Sequence, residues 1–378
     1  MELNMDRTSG IKTTSIRSIT LILILVFLIS GCGSNESRAN KKVSDRTGVT
    51  RFQLKDLPDE KRVDILIDGE LFTSYIYPDH IAKPVLYPII TASGKVVTRA
   101  YPMDTIPGER VDHPHHVGHW MNYGDVNGLD FWNNSTARPI EDKHLYGTIF
   151  HKEVRSIQGR DDMGMLEVVN EWKSPDGDVL LEEQTRFIFS VQGNSRIIDR
   201  ITTLNALNQE VAFKDSKEGM FAVRVARALE LPSQKPAIYL DANGIPSETS
   251  VVDNTGVGGN YLSSEGREGD KVWGTRARWM KLYSSMDGEK VAIVIFDHPD
   301  NVGYPTYWMA RGYGLFAANP LGQSVYSKGK HVLDFKLDPN ESVSFKFRLL
   351  VHSGKELRSG SINNLADEFA ELQTLAFH

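Results

Sequence analysis

The sequence predicts a mainly β protein, an antiparallel sandwich closed by one C-terminal helix. Three observations carry that expectation. Runs of β-branched and aromatic residues recur from residue 63 to residue 352. Turn signals such as Pro175-Asp176-Gly177, Asn194-Ser195, Asp287-Gly288 and Asp338-Pro339-Asn340 separate them. Helix-period apolar spacing occurs only in the tail, at Leu365, Phe369 and Leu372.

In order, Val63–Gly69 and Leu71–Tyr77 read as a hairpin turning on Asp68-Gly69. Further strands are expected over 147–154, 164–172, 179–191, 196–205, 211–213, 221–226, 279–285, 291–296, 314–318, 331–337 and 342–352. The stretch 241–272, rich in Gly, Ser, Asn and Asp, reads as a long crossover or lid. The helix is expected over Ile362–Leu375, with Asn363 and Asn364 as caps. Composition does not break between residues 51 and 378, so that stretch reads as a single domain.

The N-terminus speaks of location. Residues 1–31 carry Arg7, Lys12 and Arg17, then the apolar run ITLILILVFLIS, the pattern of a signal peptide. That run is shorter than the ~20 apolar residues a spanning helix needs. Ile29-Ser30-Gly31-Cys32 resembles a bacterial lipobox, in which cleavage precedes a cysteine that is then lipidated. Cys32 is the only cysteine and can form no internal disulfide. Residues 32–50 are small and polar, a flexible tether. The expectation is an exported protein, lipid-anchored through Cys32 at the periplasmic face or cell surface. A net charge of −6 without a long basic run argues against a nucleic-acid partner.

The chemistry concentrates in four segments. The first is DHPHHVGHW, residues 112–120, which holds four of the chain's 11 histidines. Surrounding prolines and glycines keep it out of a helix, so it is no zincin-like pair on one helical face. Imidazoles there could serve as acids or bases, hold a divalent metal together with Asp112 or Asp125, or bond backbone in a convoluted loop. The second is KDSKEGMFAVRVA, residues 214–226. Arg224 alternates with Phe221, Val223 and Val225, so it lies on the face opposite them, either toward solvent or lining a cleft. Glu218 is a candidate acid or base if burial shifts its carboxyl upward.

The third segment sets Trp273 and Trp279 around Arg276 and Arg278, and the fourth runs from His298 through Tyr304, Tyr307, Trp308 and Arg311 to Tyr313. Indoles beside arginines suit a pyranose, whose C–H face packs on a ring while its hydroxyls meet the cations. No GxxxxGK[ST] phosphate loop occurs. The inventory fits a polyhydroxylated ligand better than a nucleotide.

DHPHH, GDVNGLDFW, KEGMFAVRVA, WGTRARW and YPTYWMARGYGLFAANPLG together resemble the PmoA family of secreted bacterial proteins, over about residues 60–352. The resemblance implies a galactose-mutarotase-like β-supersandwich. In such enzymes histidines and a glutamate on the concave sheet act on the sugar's ring oxygen and anomeric hydroxyl. The chain departs from the family pattern at Met309, where a histidine is expected, and at His119, where a bulky apolar residue is usual.

The expected function is carbohydrate-active acid–base chemistry of epimerase, lyase or hydrolase type on a sugar or oligosaccharide. His115 and His116 are the candidate catalytic imidazoles, opposite Glu218 and its neighbour Lys217. Arg224, Arg276 and Arg311 would orient the ligand, and Trp120, Trp273 and Trp308 would wall it. His113, His119, Asp125, Asn127, Asp130, Trp132, His298 and Tyr307 complete the candidate ligand contacts. No cofactor is expected. The alternatives are a glycan-binding module without turnover and a metal-dependent enzyme, including an oxygenase, that uses His113, His115 and His116.

Overall fold

Alternating burial explains why these segments become strands. Arg62–Ile67 buries Val63, Ile65 and Ile67 and leaves the residues between them partly exposed. The computed structural model describes residues 50–249 and 251–372. The signal segment, Cys32 and the tether up to residue 49 lie outside the described residues.

The chain begins with β1 (Phe52–Leu57), β2 (Arg62–Ile67) and β3 (Glu70–Ile76). Asp68 and Gly69 turn β2 into β3 with φ of 53° and 87°, the two positive values that a tight two-residue hairpin needs. Two strands follow, β4 (Val85–Leu86) and β5 (His119–Tyr123). A meander of long strands comes next: β6 (Thr148–Gly159), β7 (Gly164–Lys173), β8 (Val179–Gln192) and β9 (Ser195–Ala206). Then come β10 (Val211–Phe213), β11 (Gly219–Arg224), the hairpin β12 (Ala237–Leu240) with β13 (Pro246–Thr249), and β14 (Asn260–Ser263). The remainder is β15 (Trp279–Met286), β16 (Glu289–Asp297), β17 (Tyr307–Ala310), β18 (Leu315–Asn319), α1 (Gln323–Ser327), β19 (Phe335–Leu337), β20 (Ser342–Gly354) and α2 (Ser359–Ala370).

Two eight-stranded antiparallel sheets result. The first runs β1-β2-β3-β4-β5-β11-β18-β17, the second β14-β15-β16-β20-β9-β8-β7-β6. Their facing sides share one apolar core, in which Phe221 of the first sheet stacks on Phe347 of the second at 4.8 Å. Helix α2 covers the far side of the second sheet, laying Ile362, Leu365 and Phe369 over Val294, Phe296 and Leu350. The far side of the first sheet carries a separate cluster around Trp120, Trp132, Tyr307, Met309 and Tyr326. Register places Trp120, Ala222, Ala317 and Met309 side by side across β5, β11, β18 and β17.

The expected antiparallel β sandwich is therefore present, with corrections of detail. The stretch 241–272 is no featureless lid: it completes the β12–β13 hairpin and supplies β14, the edge strand of the second sheet. Polar composition hid it because β13 is an exposed strand with little to bury. The terminal helix starts earlier than expected, and Arg358 rather than an asparagine precedes its first turn. Asn363 instead lies inside α2, where its Oδ1 accepts from Arg278 and from the Trp279 indole at 2.9 Å each.

Candidate functional site

The histidine segment is irregular up to Gly118 and then enters β5 at His119. Gly118 is required where it enters: its φ is +56°, and a Cβ there would stand 2.3 Å from the Leu86 carbonyl oxygen. What holds the loop is Arg99, which is 1% exposed. Its guanidinium donates to the carbonyls of Asp112, His113 and His116 at 2.9, 3.0 and 3.1 Å, and to Asp112 Oδ1 at 2.6 Å. A single buried cation thus takes up carbonyls that an irregular loop cannot pair with itself. Burial, then the nearby Arg224, lowers the Arg99 guanidinium to about 9.

Asp112 is the hub. Its Oδ1 also receives Arg224 Nη2 at 2.6 Å, and its Oδ2 lies 3.1 Å from His113 Nδ1. Burial opposes its ionisation, but His113, Arg224 and Arg99 together outweigh that and hold the carboxyl well below its usual range. An ionised carboxylate can only accept, so Nδ1 of His113 carries a proton, and in the neutral ring Nε2 holds the lone pair. His113 sits at φ 41°, a left-handed conformation uncommon for a non-glycine residue, and its side chain is 41% exposed.

The other two loop histidines are buried. His116 is 1% exposed, and its Nδ1 lies 3.4 Å from Arg224 Nη1, a donor, so the ring proton falls on Nε2. Burial, then the charges of His115 and Arg224, pushes its imidazole well below the ordinary value. Burial and then Lys83 bring His115 down to about 2. Both are neutral near pH 7. A column of near-parallel rings links the loop to the sheet: Tyr313 to His113 at 5.2 Å, His113 to His116 at 4.8 Å, His116 to Trp120 at 5.3 Å.

Glu218 immediately precedes β11, and Asn133 Nδ2 donates to its Oε2 and also to Asp130 Oδ2. Lys217 Nζ is 3.5 Å from Glu218 Oε1. Burial raises the Asp130 carboxyl, and the neighbouring Glu218 adds to this. The Lys217 carbonyl accepts from Tyr326 Oη at 2.6 Å, and the Tyr326 ring meets Trp273 edge-on at 5.5 Å. Trp273 is 37% exposed, with the Arg311 guanidinium 4.6 Å from its ring. Arg311's side chain makes no hydrogen bond or ion pair among the described residues. These contacts place His113, Glu218, Trp273 and Arg311 on the outer side of the first sheet.

Several expected contacts lie elsewhere. His119 points between the sheets, 4.3 Å from Phe221, with Nδ1 on the Ala222 carbonyl at 2.8 Å. Trp308 also faces that core, and its indole donates to the Ala277 carbonyl at 3.1 Å. His298 is buried beneath α2, 5.1 Å from the Phe369 ring. Arg276 stacks on Tyr307 and spends its donors on the carbonyls of Gly303, Tyr304 and Pro305. Asp125 and Asn127 shape a turn: Asp125 accepts from Gly128 N at 3.0 Å, and Asn127 bridges to Glu210 and Ala212. Trp120 and Trp132 are the buried floor rather than open walls.

No group of three or more His, Cys, Asp or Glu side chains among the described residues is arranged to hold a metal ion. His113 and His116 stack face to face, with their Nδ1 atoms against Asp112 and Arg224. Sequence reasoning missed Arg99 and Asn133. Arg99 carries the same signal as Arg224, an arginine inside the apolar run Val96-Val97-Thr98-Arg99-Ala100.

Fold and site together define a two-sheet antiparallel β sandwich with an arginine–carboxylate–imidazole centre on the outer face of one sheet. Residues 62–367 match the model of DUF6807, a family of unknown function, and the chain belongs to that family. No curated protein matches the sequence. Among solved structures, the galactosidase domain of an alpha-galactosidase–sucrose kinase is 7% identical at a TM-score of 0.37, over 80% of this chain and 42% of that one. The GH36 alpha-galactosidase AgaA of Geobacillus stearothermophilus is 12% identical at 0.34, over 75% of this chain and 40% of that one. Galactose 1-epimerase from Lactobacillus acidophilus NCFM is 10% identical at 0.33, over 80% of this chain and 98% of that one. The chain thus spans less than half the length of either galactosidase structure. None of these values assigns a reaction to it.

Proposed function

We propose that the centre transfers protons on a sugar or oligosaccharide, with His113 as the base and Glu218, paired with Lys217, as the second ionisable group. The observation that carries this reading is the Asp112–His113 contact at 3.1 Å. A carboxylate pinned by two buried arginines orients an accessible imidazole and leaves its Nε2 free to take a proton, the geometry that general-base catalysis requires. The ligand class follows from Trp273 and Arg311, a half-open indole with an unpaired planar cation over it. A pyranose offers C–H groups to the one and hydroxyl acceptors to the other. Epimerase, lyase and hydrolase chemistry all begin with such a transfer at a hydroxyl, a ring or glycosidic oxygen, or an acidified C–H.

Export, lipid anchoring through Cys32 and the PmoA-family resemblance belong to the same proposal. They place the centre in the cell envelope, where glycans are met. A second reading, glycan binding without turnover, draws on the burial of His115 and His116, which leaves one accessible imidazole in the cluster. The test is a panel of mono- and oligosaccharides, read by thermal shift and by product formation. Product that disappears in His113→Ala supports catalysis. A thermal shift without product, unchanged in that variant, supports binding alone. The absence of either over the whole panel overturns the sugar reading.

A further inference from the structure

We propose that Lys83 is a second reactive site, where its amine condenses with the carbonyl group of a small aldehyde or ketone held in the adjoining cleft. Lys83 follows β3 in the segment Ile81–Pro84. It is 3% exposed, its Nζ donates to the His115 carbonyl at 2.7 Å, and it stands 5.2 Å from the Trp120 ring. Among the described residues no carboxylate forms an ion pair with it.

Lys83 lies where two clefts meet. One, of about 250 Å³, is lined by His80, Tyr101, His115 and Asn134; the other, of about 350 Å³, continues past Tyr77 and Tyr146. Either has room for a molecule of a few carbons, and Lys83 lines both. An ammonium buried without a counter-ion is disfavoured, and burial brings the Lys83 amine down to about 7, which Asp130 only partly offsets. A neutral amine is the nucleophilic form. His115 lines the same cleft, and its buried Nε2 has no partner among the described residues.

The step balances without oxidant or reductant. Lys83 Nζ adds to the carbonyl carbon and its electron pair forms the C–N bond, while the carbonyl π pair moves to oxygen. That oxygen leaves as water with the two amine protons, and a neutral imine remains. The site does not depend on the sugar reading, since any accessible aldehyde or ketone serves.

The experiment incubates the purified full chain with glycolaldehyde and sodium cyanoborohydride and maps the reduced adducts by peptide mass spectrometry. Lys83 is expected to be labelled at least about tenfold faster than the exposed Lys55 and Lys235. Lys83→Arg keeps a cation and a donor for the His115 carbonyl but has no condensable amine, so it should lose the adduct at position 83 alone. Labelling of Lys55 and Lys235 with Lys83 untouched in the wild-type chain overturns the proposal, whether or not the variant folds.

Discussion

Arg224, wholly out of solvent, meets the Asp112 carboxylate at 2.6 Å. Arg99 reaches the same oxygen at the same distance. Two buried cations therefore share one anion, and the surplus positive charge beside His115 and His116 adds to burial in keeping those rings neutral. The centre is a charged frame around one usable imidazole.

Removing the shared anion should be costly to the fold. Asp112→Ala leaves Arg99 buried with only carbonyl acceptors and Arg224 buried with only His116 Nδ1 at 3.4 Å, and a loss of about 3–5 kcal/mol is expected. Urea unfolding followed by tryptophan fluorescence measures it. A loss under about 1 kcal/mol would show that the remaining acceptors satisfy Arg99 and Arg224 without the carboxylate.

His113 should behave in the opposite way. Its ring is 41% exposed, so His113→Ala should lower turnover ~10²–10⁴-fold with little change in unfolding midpoint. Turnover of whichever panel sugar gives product is the readout. An unchanged kcat removes His113 from the chemistry.

Two tryptophans that look alike in sequence should separate. Trp273→Ala should weaken ligand binding by about 1–2 kcal/mol, roughly 5- to 30-fold in Kd, and leave the fold intact. Trp308→Ala opens the inter-sheet core and should cost about 3–5 kcal/mol of stability. Calorimetric titration and thermal unfolding distinguish them, and equal effects on binding would contradict the two placements.

Stability should fall on acidification below about pH 6.5. His115, His116 and His119 all titrate below the ordinary imidazole value of 6.5 because they are buried. The unfolded chain therefore takes up protons first, and each ring removes up to about 1.4 kcal/mol per pH unit as pH falls below 6.5. Asp297, pushed up to about 7 by burial, has the opposite sign, since its folded form holds the proton better. Asp112, held low, adds to the loss only in the carboxylate range. Between about pH 4 and 6.5 these four groups contribute the slope of three histidines less one carboxylate, to which the lowered His151 and His298 add and from which the raised Glu109 and Asp130 subtract. Denaturation at several pH values measures it, and His119→Phe should make it shallower by about one proton.

Much of this was legible in the chain. Phe221, Val223 and Val225 set one face of a strand and Arg224 the other, and the structure keeps that division. The choice between solvent and cleft for Arg224 was not legible, because it depends on a loop about a hundred residues away in sequence that folds over the guanidinium. The alternation in Tyr307-Trp308-Met309-Ala310 likewise separates Trp308 from Met309 without saying which of them meets the second sheet. Among the histidines the expected order is inverted: His115 and His116 are buried, and His113 is open to solvent. A carbonyl-rich loop takes its shape from its partner, and that partner is Arg99.

What the sequence determined by itself is local. Period-two burial made the strands, Asp68-Gly69 the first hairpin, and the spacing of Leu365 and Phe369 the helix, each a property of neighbouring residues and their backbone preferences. Tertiary structure alone decided which imidazole reaches solvent, which indole is a surface and which a core, and which arginines have donors left over. Burial and charge pairing are sums over residues distant in the chain, and no window of sequence contains them.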